Sequence, residues 1–140
     1  MSETQMINFE LVSPEEKLMS EPVVMAIIPG DEGEFGVMAG HSSLVASLKP
    51  GVVRLKMAEG EERKIFITGG FADVTGALCT ILAEEAANVS DLDEAAIRQD
   101  LADLKEDLGL AEGAVDKKRV ERKIALAKAK LSAVSGELQL

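Results

Sequence analysis

Short apolar runs separated by turn residues make up the first ninety residues of the chain. In the run 52–57, Val53, Leu55 and Met57 fall on one face, and the two basic residues between them fall on the other. This period of two is typical of a half-buried β-strand. Because Gly and Pro separate the runs, each run predicts a short strand. The predicted strands cover residues 7–12, 23–28, 44–48, 52–57, 65–68 and 78–82.

The period of the apolar positions changes after residue 90. Two series recur there at alternating steps of four and three residues, which is the spacing along one face of an α-helix. Ser90 and Asp93 resemble a capping box before the first helix. Gly109 and Gly113 bracket the connection between the helices, and Gly136 ends the second one. The two series are Ile97, Leu101, Leu104 and Leu108, then Val120, Ile124, Ala127, Leu131 and Val134.

Together these patterns predict an all-β N-terminal sandwich or flattened barrel, followed by a C-terminal antiparallel α-helical hairpin. The strands follow one another too closely for helices between them, which favours antiparallel pairing throughout the first part. The boundary between the patterns gives a β-domain at residues 1–88 and a two-helix domain at residues 89–140. Because the helices are rich in alanine, they bury little area and are expected to depend on other contacts for stability.

The charge of the protein is segregated along its length. The formal net charge is −10, which disfavours nucleic acid and anionic lipid as partners. Residues 91–116 carry 9 acidic and 2 basic residues, whereas residues 117–140 carry 2 acidic and 7 basic residues. The two predicted helices therefore have opposite charge and are expected to attract each other.

The sequence lacks the signals of a membrane span and of export. Its longest uncharged apolar run, residues 23–29, is far shorter than the roughly 20 residues that cross a bilayer. The N-terminal segment has neither the basic start nor the apolar core of a signal peptide. A single cysteine, Cys79, cannot form an internal disulfide, and it alternates with apolar core positions. We therefore expect a cytosolic protein whose one thiol is buried.

The stretch GEFGVMAGHSS at residues 33–43 combines three glycines with the only histidine of the protein. Its glycines match neither G-x-G-x-x-G nor G-x-x-x-x-G-K-[ST], so we interpret it as a bulged loop between strands and not as a phosphate site. His41 has no nucleophile beside it, because Ser42 and Ser43 lack a G-x-S-x-G context. A structural or interface histidine is the preferred interpretation, with a general base as the alternative.

Acid–base catalysis by carboxylates and zinc binding have still less support in the sequence. The carboxylates Asp31, Glu32 and Glu34 crowd one loop tip, but the sequence has no Trp or Tyr that could enclose them in a deep pocket. One histidine and one cysteine far apart in the sequence do not make a zinc site. We therefore expect no catalytic residue, no metal and no cofactor, and a protein that acts through contacts.

Five short motifs, in order along the sequence, resemble the ε subunit of bacterial F-type ATP synthases. The motifs have the spacing found in this family, and a predicted helical hairpin follows them. The resemblance therefore covers essentially the whole chain. The motifs are IPG at 28–30, GEFGV at 33–37, AGHS at 39–42, LKPG at 48–51 and GGFADV at 69–74.

The resemblance implies a central-stalk rotor subunit, peripheral on the cytoplasmic side of the bacterial inner membrane. Its β-domain would bind the γ subunit and the polar loops of the c-ring, and would couple proton-driven rotation to ATP synthesis. It would contribute no catalytic residue and insert nothing into the membrane, and its hairpin would act as a brake on ATP hydrolysis. The ring-facing segment, with Glu34 against the ring, corresponds to Asp31, Glu32, Glu34, Phe35, His41 and Ser42.

One stretch departs from the family pattern. Some members bind ATP on the hairpin through an Ile/Leu-Asp-x-x-Arg-Ala motif, and here Leu92 and Asp93 are followed by Ala96 in place of the arginine. Losing that cation removes a charge-assisted contact, so we expect weak or absent ATP binding. The basic second helix is compatible with docking onto the catalytic α/β head, although pairing with the acidic first helix is its simpler use.

Two other functions stay open at this point. The first is a stand-alone β-sandwich domain that binds a small ligand, with the helices as a lid. The second is an enzyme that uses His41. A rotor subunit should co-purify with a membrane complex that hydrolyses ATP, whereas a ligand-binding domain should purify alone.

Overall fold

Ten β-strands form a single curled sheet within residues 5–135, the part of the protein that the computed structural model describes. The strands are β1 (Ile7–Val12), β2 (Lys17–Val23), β3 (Met25–Gly30), β4 (Gly33–Val37), β5 (Leu44–Leu48), β6 (Gly51–Lys56), β7 (Glu62–Ile67), β8 (Gly70–Val74), β9 (Leu78–Ala83) and β10 (Ala86–Asn88). Their order in the sheet is β10-β7-β6-β3-β5-β8-β9-β1-β2, and β4 pairs with β3 beside this path. The predicted sandwich or flattened barrel is confirmed.

Strand pairing is antiparallel with one exception. β1 pairs antiparallel with β2 but parallel with β9, in a register that runs from Asn8 opposite Leu78 to Val12 opposite Leu82. The expectation of antiparallel pairing throughout is therefore wrong at this position. Hairpins between consecutive strands can be predicted from turn residues, whereas β1 and β9 meet only when the whole sheet curls.

Inward-facing residues of the alternating strands form one apolar core. In β6, Val53 and Leu55 are buried while Arg54 between them is not, as the alternation predicts. The buried members of this core are Ile7, Phe9, Leu11, Val23, Ala26, Ile28, Val37, Leu48, Val53, Leu55, Ile65, Ile67, Ala72, Val74, Cys79, Ile81 and Ala83.

Most predicted strands are present, but the strand count is larger. β1 and β5 have the predicted bounds, and β6, β7 and β9 differ at their ends. The run predicted at 23–28 divides between two strands, since β2 ends at Val23 and β3 begins at Met25. The pattern missed β2, β4, β8 and β10, which are polar, rich in glycine or only three residues long.

The interpretation of residues 33–43 as a bulged loop is wrong for its first half. Gly33–Val37 is the strand β4, which pairs along its whole length with β3. Its inward residues are Phe35 and Val37, and its outward ones are Glu34 and Gly36. Two glycines in five residues lower the β-propensity of this segment, and only two apolar positions alternate, so its strand pattern is weak.

The C-terminal residues form the predicted antiparallel hairpin of two helices, α1 (Glu94–Leu110) and α2 (Gly113–Ser135). Both predicted apolar series face inward. Ile97, Leu104, Ala127 and Leu131 are buried, and the other members of the two series are half-buried. The step of three and four residues therefore predicted the packed faces correctly.

The helix ends differ from the expectation. Asp93 itself caps α1, because its side chain accepts hydrogen bonds from the backbone N–H groups of Ala95 and Ala96 at 3.0 and 3.2 Å. The capping box with Ser90 is thus wrong, and Asp alone satisfies the first N–H groups. Gly109 lies inside α1, so the connection is shorter than predicted. The predicted helix end at Gly136 lies outside the described residues.

The two helices do not attract each other through close ion pairs. Within the described parts of α1 and α2, the ion pairs are Arg98 with Glu94 and Arg119 with Asp116, and each joins residues of one helix. The expected pairing of basic α2 with acidic α1 therefore does not take the form of ion pairs at contact distance. The apolar stripes occupy the facing sides of the helices, so the charged residues point outward.

The protein divides into two compact units, Met1–Asn88 and Val89–Leu140. A single turn of 3₁₀-helix, Val89–Asp91, begins the second unit. Among the described residues, neither helix has the length and apolar character that a membrane span requires.

Candidate protein-contact site

The β3–β4 hairpin presents the clustered carboxylates at its tip. Asp31 and Glu32 form the turn between the paired residues Gly30 and Gly33. A side chain on Gly30 would lie 2.8 Å from the carbonyl oxygen of Gly33, so only glycine fits there. The N–H group of Asp31 donates to the carbonyl of Ser47 at 3.0 Å, which fixes the turn against β5.

An open groove separates this hairpin from β5. Its one wall is acidic, because Asp31, Glu32 and Glu34 are all exposed there. Its other wall contains Leu44 and Val45, whose side chains are 36% and 73% exposed. The groove can therefore accept a polar segment of another protein that also offers apolar contact. It is lined by Gly30, Asp31, Glu32, Gly33, Glu34, Phe35, Leu44, Val45, Ala46 and Ser47.

Glu34 is held by a residue that sequence reasoning missed. Its Oε1 accepts a hydrogen bond from an Nη of Arg54 at 3.2 Å, in an ion pair that joins β4 to β6. The two residues are 20 positions apart, and they meet because β3 lies between their strands and pairs with both. No local pattern indicates this contact, which follows from the register of three strands.

Phe35 belongs to the packing of the hairpin more than to its surface. It is half-buried and packs against the sandwich core. Its ring lies over Gly30, where an added Cβ would come within 3.0 Å of the ring edge. Of the predicted contact residues in the hairpin, Phe35 thus supports the tip from inside, and the three carboxylates face outward.

His41 and Ser42 lie in the loop that follows β4. The N–H group of His41 donates to the carbonyl of Met38 at 3.1 Å, and Gly40 bonds the carbonyl of Gly76 in the β8–β9 turn. The imidazole Nδ1–H donates to the carbonyl of Ser42 at 2.6 Å. This bond orients the ring within its own loop. Within residues 5–135, the imidazole has no carboxylate or hydroxyl partner.

The predicted contact residues therefore form two groups. Asp31, Glu32 and Glu34 surround the hairpin tip together with Phe35, whereas His41 and Ser42 follow the other end of β4. A strand of this length spans roughly 16 Å. The structure brings four of the six residues together at one groove and places the other two beside the β8–β9 turn.

The residues of the degenerate nucleotide motif lie at the start of α1. Asp93 is used by the helix as its cap, Ala96 is exposed, and Leu92 is half-buried. The carboxylate that the family motif would offer to a ligand thus already accepts two backbone hydrogen bonds.

Two further candidates were a reactive thiol and a metal site. Cys79 is fully buried, and burial raises the pKa of its thiol to about 12, so the thiol stays protonated at neutral pH. Within residues 5–135, no three His, Cys, Asp or Glu side chains come together in a way that could hold a metal ion.

A second exposed feature is an apolar face on the outside of the sheet. Phe71 on β8 lies opposite Leu82 on β9, and the two are 56% and 45% exposed. Val45 on β5 is their diagonal neighbour, because Ser47 pairs with Phe71. We call Val45, Phe71 and Leu82 the outer apolar face. This face was not predicted from the sequence. A signal was present, because the strand 44–48 has apolar residues on both of its faces, whereas a strand with one face in water usually has polar residues on that face.

Family comparison covers both units of the protein. The family model described as "ATP synthase, Delta/Epsilon chain, beta-sandwich domain" matches residues 6–89. A second family model, which describes the C-terminal domain of the ATP synthase epsilon subunit, matches residues 93–138.

Individual proteins agree with the family models. The chain is similar to the ATP synthase epsilon chain of Rhodospirillum rubrum, with 41% identity over 136 residues that cover 97% of this chain and 100% of the relative. The epsilon chain of Rhodospirillum centenum is 38% identical over 136 residues, which cover 94% of this chain and 93% of the relative. That of Mesorhizobium japonicum is 50% identical over 99 residues, which cover 71% and 73%.

The protein also resembles polypeptides in solved structures. One of them belongs to the Euglena gracilis mitochondrial ATP synthase, in a structure of its OSCP, F1 and c-ring, and it superposes on this protein with a TM-score of 0.79. It is 28% identical, and the match covers 96% of this chain and 83% of that one. A polypeptide from the central stalk and c-ring of the Tetrahymena thermophila mitochondrial ATP synthase has a TM-score of 0.62 at 14% identity, over 95% of this chain and 99% of that one. The second likeness concerns the fold alone.

Proposed function

The chain belongs to the family of ATP synthase epsilon chains, and we propose that it works as a rotor subunit of the central stalk. In this role it couples proton-driven rotation of the c-ring to ATP synthesis through the γ subunit. The observation that carries the proposal is that both units match the family in order, over nearly the whole length. The alternative of a stand-alone ligand-binding domain receives no support from these matches.

Retrieval of the native complex tests this function directly. A tagged copy of the protein, expressed in its own host, should recover a membrane complex that hydrolyses ATP, and the purified protein should bind purified γ. Recovery of the protein alone, together with failure to bind γ, would contradict the rotor function and favour the ligand-binding alternative.

For the γ subunit, we propose that the outer apolar face is the docking surface. Val45, Phe71 and Leu82 present apolar area on one side of the sandwich, which is the composition of the centre of a stable protein interface. Asp73 lies on the same side, paired with Val45, and adds a negative charge at the border. The complementary surface on γ is therefore expected to be apolar with a basic border.

For the c-ring, we propose that the tip of the β3–β4 hairpin is the main contact. Its support is the exposed acidic wall of Asp31, Glu32 and Glu34, held rigidly by the short turn and by the bond from Asp31 to Ser47. Phe35 supports the tip from inside, and His41 and Ser42 extend the contact at the other end of β4. A tip fixed by backbone bonds can transmit force with little deformation, which a rotor contact requires.

For the helical hairpin, we propose a regulatory contact with the catalytic α/β head. Within the described helices no ion pair joins α2 to α1, and Arg119 pairs with Asp116 of its own helix, so the other basic side chains of α2 are not bound to the carboxylates of α1 and can meet an acidic partner. In this position the hairpin would slow ATP hydrolysis. We also propose that the subunit contributes no catalytic residue, since His41 bonds its neighbour's carbonyl and Cys79 is buried. Its place is peripheral, on the cytoplasmic side of a bacterial inner membrane.

ATP is expected to bind this hairpin weakly or not at all. Ala96 supplies no cation where the family motif has arginine, and the carboxylate of Asp93 is occupied as the cap of α1. Isothermal titration of the full-length protein with ATP measures the affinity. A dissociation constant below one millimolar would contradict the prediction, and Ala96→Arg is the matched variant in which binding should increase.

A further inference from the structure

We propose that Arg54 is a positioning residue for the ring contact: by holding one carboxylate oxygen of Glu34, it presents the other to a hydrogen-bond donor on the polar loops of the ring. Glu34 uses Oε1 in the ion pair with Arg54. Its Oε2 has no bonding partner among residues 5–135. The proposal rests on the proposed contact between the β3–β4 hairpin and the c-ring.

Strand register explains why Arg54 points toward Glu34. Arg54 pairs with Ile27 on β3, and Ile27 pairs with Gly36 on β4, so these three residues share one row and one face of the sheet. Glu34 is two positions from Gly36 and therefore lies on the same face. Arg54 and Glu34 lie on opposite sides of β3 and two positions apart in register, so the guanidinium crosses over β3 and meets the carboxylate diagonally.

A like charge on the other side favours the same direction. Lys64 on β7 pairs directly with Arg54, and like charges opposite each other in a sheet repel. Arg54 thus has a cation on one neighbouring strand and a carboxylate beyond the other. The side chain extends away from Lys64 and toward the hairpin that carries the ring contact.

This ion pair is better suited to orienting a side chain than to stabilising the fold. Its partners are 37% and 54% exposed, and pairs with such exposure contribute little to folding. A glutamate side chain, however, loses considerable conformational freedom when it is fixed. Arg54 restricts Glu34 before the ring is met, so less freedom is lost on binding.

Arg54 also sets the charge of the contact. Asp31, Glu32 and Glu34 together would present three negative charges, and the guanidinium offsets one of them at Oε1 of Glu34, which accepts its hydrogen bond. The remaining oxygen is an oriented acceptor and selects a donor of defined position, such as an amide, a backbone N–H or a basic side chain.

The test uses the complete synthase stripped of this subunit, in membrane vesicles, and the full-length subunit added back. The measurement is the subunit concentration that restores half of the ATP-driven proton pumping. Because exposed ion pairs couple their partners weakly, Glu34→Gln and Arg54→Gln should each raise this concentration by up to about fivefold. The double variant should be no worse than either single one, while Arg54→Lys should be closer to the wild type.

Further variants and an unfolding measurement distinguish the positioning of Glu34 by Arg54 from a general effect of losing an ion pair or stability. Arg63→Gln removes another exposed arginine ion pair, with Glu21, and should leave the restoring concentration unchanged. Thermal unfolding of each isolated variant should also match the wild type, which excludes a structural cause. Exchange of the two residues, Glu34→Arg with Arg54→Glu, rebuilds an ion pair but should not restore coupling, since a cation then faces the ring.

The possible outcomes distinguish the two proposals. If Glu34→Gln impairs coupling but Arg54→Gln does not, or if their effects add in the double variant, the role of Arg54 is overturned and the ring contact stands. If neither variant nor the exchanged pair changes the restoring concentration, the ring contact at Glu34 itself is wrong. Equal effects that do not add support both.

Discussion

Replacing Gly70 with alanine is expected to unfold the β-sandwich under conditions in which the wild-type protein is folded. Gly70 begins β8 and has a φ angle of +144°, a backbone conformation that residues with a side chain rarely adopt. A Cβ at this position would also collide with the backbone carbonyl of Leu82. Strain and collision together should cost about 4 kcal/mol or more.

The collision at Gly70 cannot be relieved by a small shift. Gly70 pairs with Ala83 of β9 and with Leu48 of β5, so backbone lies on both sides of it. β9 in turn pairs with β1, and moving it would disturb the centre of the sheet. A loss of about 4 kcal/mol is comparable with the whole stability of a small domain.

Gly40→Ala is the matched control for Gly70→Ala. Gly40 also has a positive φ angle, +83°, but an added Cβ meets nothing within 4 Å, so only the backbone strain of about 1–2 kcal/mol applies. The protein has no Trp or Tyr, so urea unfolding is best followed by backbone circular dichroism and amide exchange. A Gly70→Ala variant as stable as Gly40→Ala would contradict the steric argument.

The spacing of apolar and turn residues predicted the strands and helices whose formation depends on their own sequence. β1 and β5 have the predicted bounds because each is a short apolar run that ends before turn residues, and the two helices repeat their apolar positions over several turns. β4 was missed because Gly33 and Gly36 weaken its strand pattern, and β2 because an edge strand has polar residues and Pro22. The parallel pairing of β1 with β9 depends on how the whole sheet closes, so it cannot be predicted from any single segment of the sequence.

For the candidate contact site, the sequence likewise indicated only some of the arrangements that the structure shows. Asp31, Glu32 and Glu34 are neighbours along the sequence, so their clustering at one tip could be expected. The ion pair of Glu34 with Arg54 depends on the register of β4, β3 and β6, which the sequence pattern does not specify. Likewise, Val45, Phe71 and Leu82 come from three strands, and each alone is an ordinary exposed apolar residue.

The outer apolar face gives the largest expected effect on assembly. Phe71→Glu should weaken binding to purified γ by about 30- to 1,000-fold, which is the range for a central aromatic residue of an interface. The aromatic contact is lost, and the new carboxylate would be buried against an apolar partner without a compensating charge. The fold should not change, because Phe71 is 56% exposed in the isolated subunit.

Val115→Glu is the control for this substitution, since it also places a carboxylate at an exposed apolar position, 81% exposed, but in the helical unit. It should bind γ as the wild type does. Val45→Glu, at the diagonal neighbour of Phe71, should weaken binding in the same direction as Phe71→Glu, because one continuous surface is involved. If both outer-face variants bind γ within threefold of the wild type while remaining folded, γ docks elsewhere on the sandwich. Loss of binding in these two variants alone would identify the sheet face through which rotation is transmitted.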